Sequence, residues 1–147
     1  MSKSSVIVLG AGLVGSTIAR DLARTCQTAA ADRNPEALSA LSSAGVTPLL
    51  CDLGDRSRLQ ALIAPYDLVV GAVPGFMGFE TVRTVIESGK NMVDISFFPE
   101  NAFDLDALAQ ARGVTVVTDC GVAPGMGNII LGHYDRQLRL HRYECLV

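Results

Sequence analysis

A chain of 147 residues, 49% apolar and 18% charged, has the size and composition of one globular domain rather than of a disordered segment. Its formal net charge of −3 argues against a nucleic-acid or anionic-membrane partner, since either would ask for a basic patch. No stretch approaches the roughly 18 consecutive apolar residues of a membrane helix, no signal-peptide pattern precedes the first apolar run, and Cys26, Cys51, Cys120 and Cys145 form no CxxC pair. These features point to a cytoplasmic protein with reduced thiols.

Along the chain, short β-branched apolar runs alternate with amphipathic stretches. Strands are expected at Val6–Leu9, Thr28–Ala31, Thr47–Leu50, Leu68–Gly71, Asn91–Ile95 and Val114–Thr118. Each run is continuously apolar, as strands covered on both faces require. Helices are expected at Leu13–Arg24, Pro35–Leu41, Arg56–Ile63, Phe79–Ser88, Leu105–Arg112 and Met126–Leu138. Asn34 and Pro35 form a cap and first-turn pair, and Gly89 and Gly113 are natural helix stops. Such alternation means βαβ units and a parallel sheet. The expectation is an α/β, Rossmann-type doubly wound sheet of about six strands in the order 3-2-1-4-5-6, with helices on both faces. Tyr143–Val147 reads as the opening of a further strand. The domain division expected is therefore 1–138 for the Rossmann unit and 139–147 for the start of a second domain, the chain ending early relative to a longer parent.

The segment Val6-Ile-Val-Leu-Gly10-Ala-Gly12-Leu-Val-Gly15 carries the binding chemistry. Three glycines at this spacing mean little alone, but a strand precedes them and an amphipathic helix starts inside them. Gly10 permits a tight turn, Gly12 lets backbone approach a pyrophosphate, and Gly15 lets the helix pack closely on the strand. Ala11, Leu13 and Val14 belong to the same loop and first helical turn, whose unpaired N–H groups face the phosphates. Asp32, about 20 residues further on at the end of the second strand, suits the adenosine ribose hydroxyls and repels a 2′-phosphate. It favours NAD, while the neighbouring Arg33 leaves NADP possible. Asp52 and Leu53, ending the third strand, are candidates for the adenine; Asp52 is equally a candidate helix cap. Ala72, Val73 and Pro74 leave room for the nicotinamide ribose. Asp94 and Asp119 end the fifth and sixth strands, where nicotinamide or substrate would lie, and are equally loop anchors. His133 and His141 have no partner at recognisable spacing, no metal site is expected, and no catalytic residue stands out.

More specific are Val73-Pro-Gly-Phe-Met-Gly-Phe-Glu-Thr-Val82, Gly89-Lys-Asn-Met-Val-Asp94 and Asp119-Cys-Gly-Val-Ala-Pro-Gly-Met-Gly-Asn128. With the glycine segment, these resemble the saccharopine dehydrogenase family, and within it the lysine 6-dehydrogenase-like members. The resemblance covers nearly the whole chain but only the N-terminal domain of the family. It implies an NAD(P)-dependent dehydrogenase acting on the CH–NH group of an amino acid, by oxidative deamination or imine reduction. It also implies a homodimer, a second domain supplying most of the substrate site, and Asn128 near the nicotinamide at the domain junction. The fragment alone would bind cofactor without turnover. A regulatory nucleotide-sensing Rossmann module of the channel or transporter type is the rival reading. A short-chain dehydrogenase is set aside, because no Tyr has a Lys four residues on.

Overall fold

The computed structural model describes residues 3–146. Six strands form one parallel sheet in the order β3-β2-β1-β4-β5-β6. They are β1 (Ser5–Leu9), β2 (Gln27–Asp32), β3 (Thr47–Leu50), β4 (Leu68–Gly71), β5 (Asn91–Asp94) and β6 (Val116–Val117). The helices are α1 (Leu13–Leu22), α2 (Pro35–Ser39), α3 (Arg56–Ile63), α4 (Gly75–Glu87), α5 (Asp106–Arg112) and α6 (Met126–Asp135). This is the doubly wound Rossmann order, with the change of winding direction between β1 and β4.

Alternation along the strands builds two cores. Ile7, Leu9, Ala29, Ala31, Val69 and Met92 face one way, against Leu59 and Ile63 of α3 and Val82, Val85 and Ile86 of α4. Val6, Val8, Ala30 and Val70 face the other way, against Ala19 of α1 and Leu38 of α2. β1 lies between β2 and β4, with Val8 level with Ala30 and Val70, so the least exposed part of the sheet carries the glycine loop at its carboxyl end.

Local signals set several boundaries as expected. Asn34 accepts the Glu36 N–H at 2.9 Å and caps α2, with Pro35 in the first turn. Gly89 and Gly113 take positive φ after α4 and α5. Asp55, not Asp52, caps α3, accepting from the Ser57 and Arg58 N–H groups.

Other expectations change. Helix α4 begins at Gly75, four residues before the expected Phe79. Helices α1 and α6 are shorter than expected, and β6 keeps only two of the five expected residues. Covering on both faces holds for the central strands and fails at the edges, where Leu50 is 70% and Val117 47% exposed. No residue of α6 is fully buried. Residues 143–146 form no strand, and Val147 lies outside the described residues. A strand needs a neighbouring edge to satisfy its backbone, and β-rich composition alone does not provide one.

Candidate dinucleotide-binding site

The glycine loop joins β1 to α1. Gly10 has φ +99°, and its N–H donates to the Ala31 carbonyl at 2.8 Å. A Cβ there would lie 2.5 Å from the Ala72 carbonyl oxygen, so β4's continuation is packed directly on this turn. A Cβ at Gly15 would collide with the Gly10 carbonyl and press on the Ala72 side chain. Gly12 is different: nothing lies within 4 Å of where its Cβ would be. It caps α1 with no side-chain hydrogen bond, and Leu13 and Val14 are exposed. The α1 terminus thus presents unpaired first-turn N–H groups to open space, a setting that suits an anion.

Asp32 faces this loop. Its Oδ2 accepts from the Ala11 N–H at 2.7 Å and its Oδ1 from the Asn34 N–H at 2.8 Å. The carboxylate therefore braces the glycine loop against the β2 turn, and both of its oxygens are engaged before any ligand arrives. Arg33 beside it is exposed and belongs to no ion pair among the described residues.

A cavity of about 360 Å³ opens beside the loop. Asp32, Arg33 and Asp52 form its polar wall; Leu53, Pro74, Phe76 and Met77 form its apolar wall. Asp52 is exposed and accepts only the Gly54 N–H, at 2.9 Å. The volume and the mix of a flat apolar wall with few polar groups suit a purine and its ribose. Val73 and Pro74 line this cavity together with Asp32 and Asp52. Ala72 instead supports Gly10. Phe76 and Met77 went unread in the sequence, because Gly75 and Gly78 make the start of α4 look like a loop. Those glycines are required by packing: Cβ atoms there would meet the Phe97 carbonyl and the Ser96 and Phe98 side chains. Starting α4 at Gly75 places Phe76, 85% exposed, in the first turn beside the cavity.

Across the β1–β4 switch, Asp94 ends β5 with none of its surface exposed. Its Oδ2 accepts from the Ser96 N–H at 3.1 Å and the Ser96 hydroxyl at 2.5 Å. Its Oδ1 has no partner and abuts Gly71, where no side chain would fit. Burial pushes its carboxyl up to about 6, the Ser96 hydrogen bonds oppose this, and the Asp119 charge adds to it. Asp94 lines neither the cavity beside the glycine loop nor any exposed surface. Asp119, at positive φ, lines a larger cavity of about 560 Å³ together with Phe97, Phe98 and Pro124. Asn128 is exposed on α6 and lines neither cavity. His133 bonds Gln137 on its own exposed helix. The four cysteines are free, and the described residues contain no cluster able to hold a metal ion and no helix long and apolar enough to cross a membrane.

The profile of the saccharopine dehydrogenase NADP binding domain matches residues 6–117, from the first strand to the last. The chain belongs to this family. It is 30% identical over 133 residues to saccharopine dehydrogenase [NADP(+), L-glutamate-forming] of Pyricularia oryzae, covering 88% of this chain and 29% of that protein. It is 26% identical to the mitochondrial alpha-aminoadipic semialdehyde synthase of Mus musculus, covering 88% of this chain and 14% of that one. The apo saccharopine dehydrogenase (L-Glu forming) of Saccharomyces cerevisiae superposes with a TM-score of 0.79 at 23% identity, over 90% of this chain and 31% of that one. This domain thus spans less than a third of the length of these relatives, and its Rossmann architecture is shared with them.

Proposed function

We propose that this domain is the cofactor-holding part of an oxidoreductase acting on the CH–NH group of an amino acid, and that it takes NADP in preference to NAD. The observation that carries the cofactor choice is the division of labour at the end of β2. Asp32 is turned inward onto the Ala11 and Asn34 N–H groups, while Arg33 stands exposed on the cavity wall. An acid at this position would by itself favour NAD; here two backbone N–H groups already hydrogen-bond it, and the free Arg33 guanidinium beside it suits a 2′-phosphate. The names of the relatives from Pyricularia and yeast agree with this choice or with the reaction class.

When bound, the nicotinamide ring supplies the hydride chemistry. This chain's residues bind and orient. The first-turn N–H groups after Gly12 hold the pyrophosphate, Asp32 fixes their loop, and Leu53, Phe76 and Met77 wall the adenine. The substrate-bearing partner surface belongs to a second domain that residues 139–147 begin, in a cytoplasmic homodimer. The domain alone binds cofactor and turns nothing over.

Calorimetric titration of the chain with NADP and NAD tests this reading. Arg33→Ala is expected to weaken NADP about 10- to 100-fold and to leave NAD unchanged, the value of one charge-assisted contact. Equal binding of both cofactors by the unaltered chain would refute the preference, and robust amine oxidation by the chain alone would refute the division between domains.

Phe76 gives a second expected outcome. The chain has no tryptophan, so Phe76→Trp introduces a single indole, excitable apart from the three tyrosines, at the cavity wall. Adenosine 2′,5′-bisphosphate should quench it and nicotinamide mononucleotide should not. Phe76→Ala should weaken adenine-containing ligands roughly tenfold, the scale of one base–aromatic stack.

A further inference from the structure

The carboxyl of Asp94 lies at the end of β5, behind the β4 end that leads into the cleft. The dinucleotide runs along the carboxyl edge of the sheet, and its adenosine half fits the cavity bounded by Asp32, Arg33 and Asp52. Its other half therefore passes over the ends of β4 and β5. Gly71 separates Asp94 from that edge with no side chain, and the Gly71 carbonyl accepts the Ile95 N–H at 3.0 Å, which locks the two strand ends together. Oδ1 of Asp94 is fully buried and without a hydrogen-bond donor, so nothing on that side of the carboxyl offsets its charge.

Resting on the dinucleotide reading above, we infer that Asp94 distinguishes the two redox states of the cofactor, its buried carboxylate favouring the cationic oxidised ring over the neutral reduced one. The two forms differ at this end of the cleft by one positive charge. A buried charge is little screened by salt, and two unit charges within about 10 Å at a typical effective dielectric give a preference of roughly tenfold. Asp94 acts through its field and is a positioning residue, not a catalytic one.

The preference requires the carboxylate and so depends on pH. Burial places the Asp94 transition at about 6, inside an accessible range. The charged and titratable groups around Asp94 are few. The loop after β6 brings Asp119 and Cys120, whose backbone N–H donates to the Asp94 carbonyl at 3.1 Å. On α4, Glu80 pairs with Arg83 and Glu87 with Arg56. The end of β4, Leu68–Gly71, carries no charge.

The test is calorimetry of the full chain and of Asp94→Asn with NADP and with the acid-stable tetrahydro analogue of NADPH, at about pH 5 and about pH 8. In the unaltered chain the preference for the oxidised form should rise roughly tenfold from the lower to the higher pH, and in Asp94→Asn it should not move. Asp119→Asn, a substitution tolerated at positive φ, should shift the transition to lower pH without abolishing it. A merely structural role for Asp94 would change both ligands alike and leave their ratio flat. A ratio independent of pH in the unaltered chain, or an identical rise in Asp94→Asn, overturns the inference while leaving the dinucleotide reading intact. If the unaltered chain binds neither form, the dinucleotide reading falls and the inference with it. A flat ratio in the unaltered chain overturns the inference even if Asp94→Asn folds poorly, and the shift in Asp119→Asn then keeps a positive result assignable.

Discussion

Gly15→Ala should lose much of the domain's stability, whereas Gly12→Ala should leave it folded and remove most of its dinucleotide affinity. The two glycines lie three residues apart in one motif, yet their surroundings are opposite. A methyl at Gly15 would collide with the Gly10 carbonyl and press on Ala72, both fixed by the ends of β1 and β4. Neither can yield without lifting α1 off the sheet, and α1 contributes Ala19 to the second core. Overpacking of this kind costs about 1–3 kcal/mol or more, out of a total stability of about 5–15 kcal/mol. A fall in the melting temperature of roughly 5–10 °C follows for a chain of this length. At Gly12 the backbone has φ −65°, which alanine adopts freely, and the methyl meets nothing. Melting should therefore fall by only a few degrees, since Ala is a poorer helix N-cap than Gly by about 1 kcal/mol. The methyl instead stands in front of the α1 terminus, where phosphate must approach to bonding distance, and affinity should fall about 100-fold. Thermal melts beside titrations separate the two effects. Normal NADP affinity in Gly12→Ala would mean that phosphate does not bind against this turn.

The sequence makes some of this legible and hides the rest for identifiable reasons. The sheet order follows from runs such as Val6–Leu9 and Leu68–Gly71, because a continuously apolar run between helices permits little else. Asn34, Pro35, Gly89 and Gly113 act on their own neighbours, so their effects are readable locally. The start of α4 is not, because Gly75 and Gly78 are demanded by Phe97, Ser96 and Phe98, roughly 20 residues away. Missing that start hid Phe76. Asp32 is visible by its spacing, but spacing does not reveal that the Ala11 and Asn34 N–H groups already donate to it, so that it also braces the glycine loop. The place of Asp94 at a strand end suits a neighbour of nicotinamide or substrate and a loop anchor equally. The period of two in a strand puts it on the same face as Met92, a core residue, and that pattern was available from the sequence.

Asp94→Asn should stabilise the domain increasingly as pH rises. The Asp94 carboxyl is pushed up to about 6 by burial, well above its usual range, so ionisation costs more in the folded chain than in the unfolded one. The sign follows from linkage. The contribution of Asp94 is most favourable below the unfolded value, near 4, and is lost as pH rises toward 6; above that it is a constant penalty of about 3 kcal/mol. Asp55 and Asp67 run the other way: their hydrogen bonds, with Ser57 and Arg58 and with Ser5, lower their carboxyls, so their contributions are lost only in acid. Those groups are common to both proteins and cancel in the difference between mutant and parent. Asparagine is nearly isosteric, and its carbonyl can still accept from Ser96. The stability of Asp94→Asn relative to the parent, from urea unfolding, should therefore be about 2 kcal/mol more favourable at about pH 8 than at about pH 4.5. A difference that does not change with pH would show that the carboxyl is ionised throughout, held by donors beyond Ser96. In that case the penalty expected from its unpartnered oxygen would be absent as well.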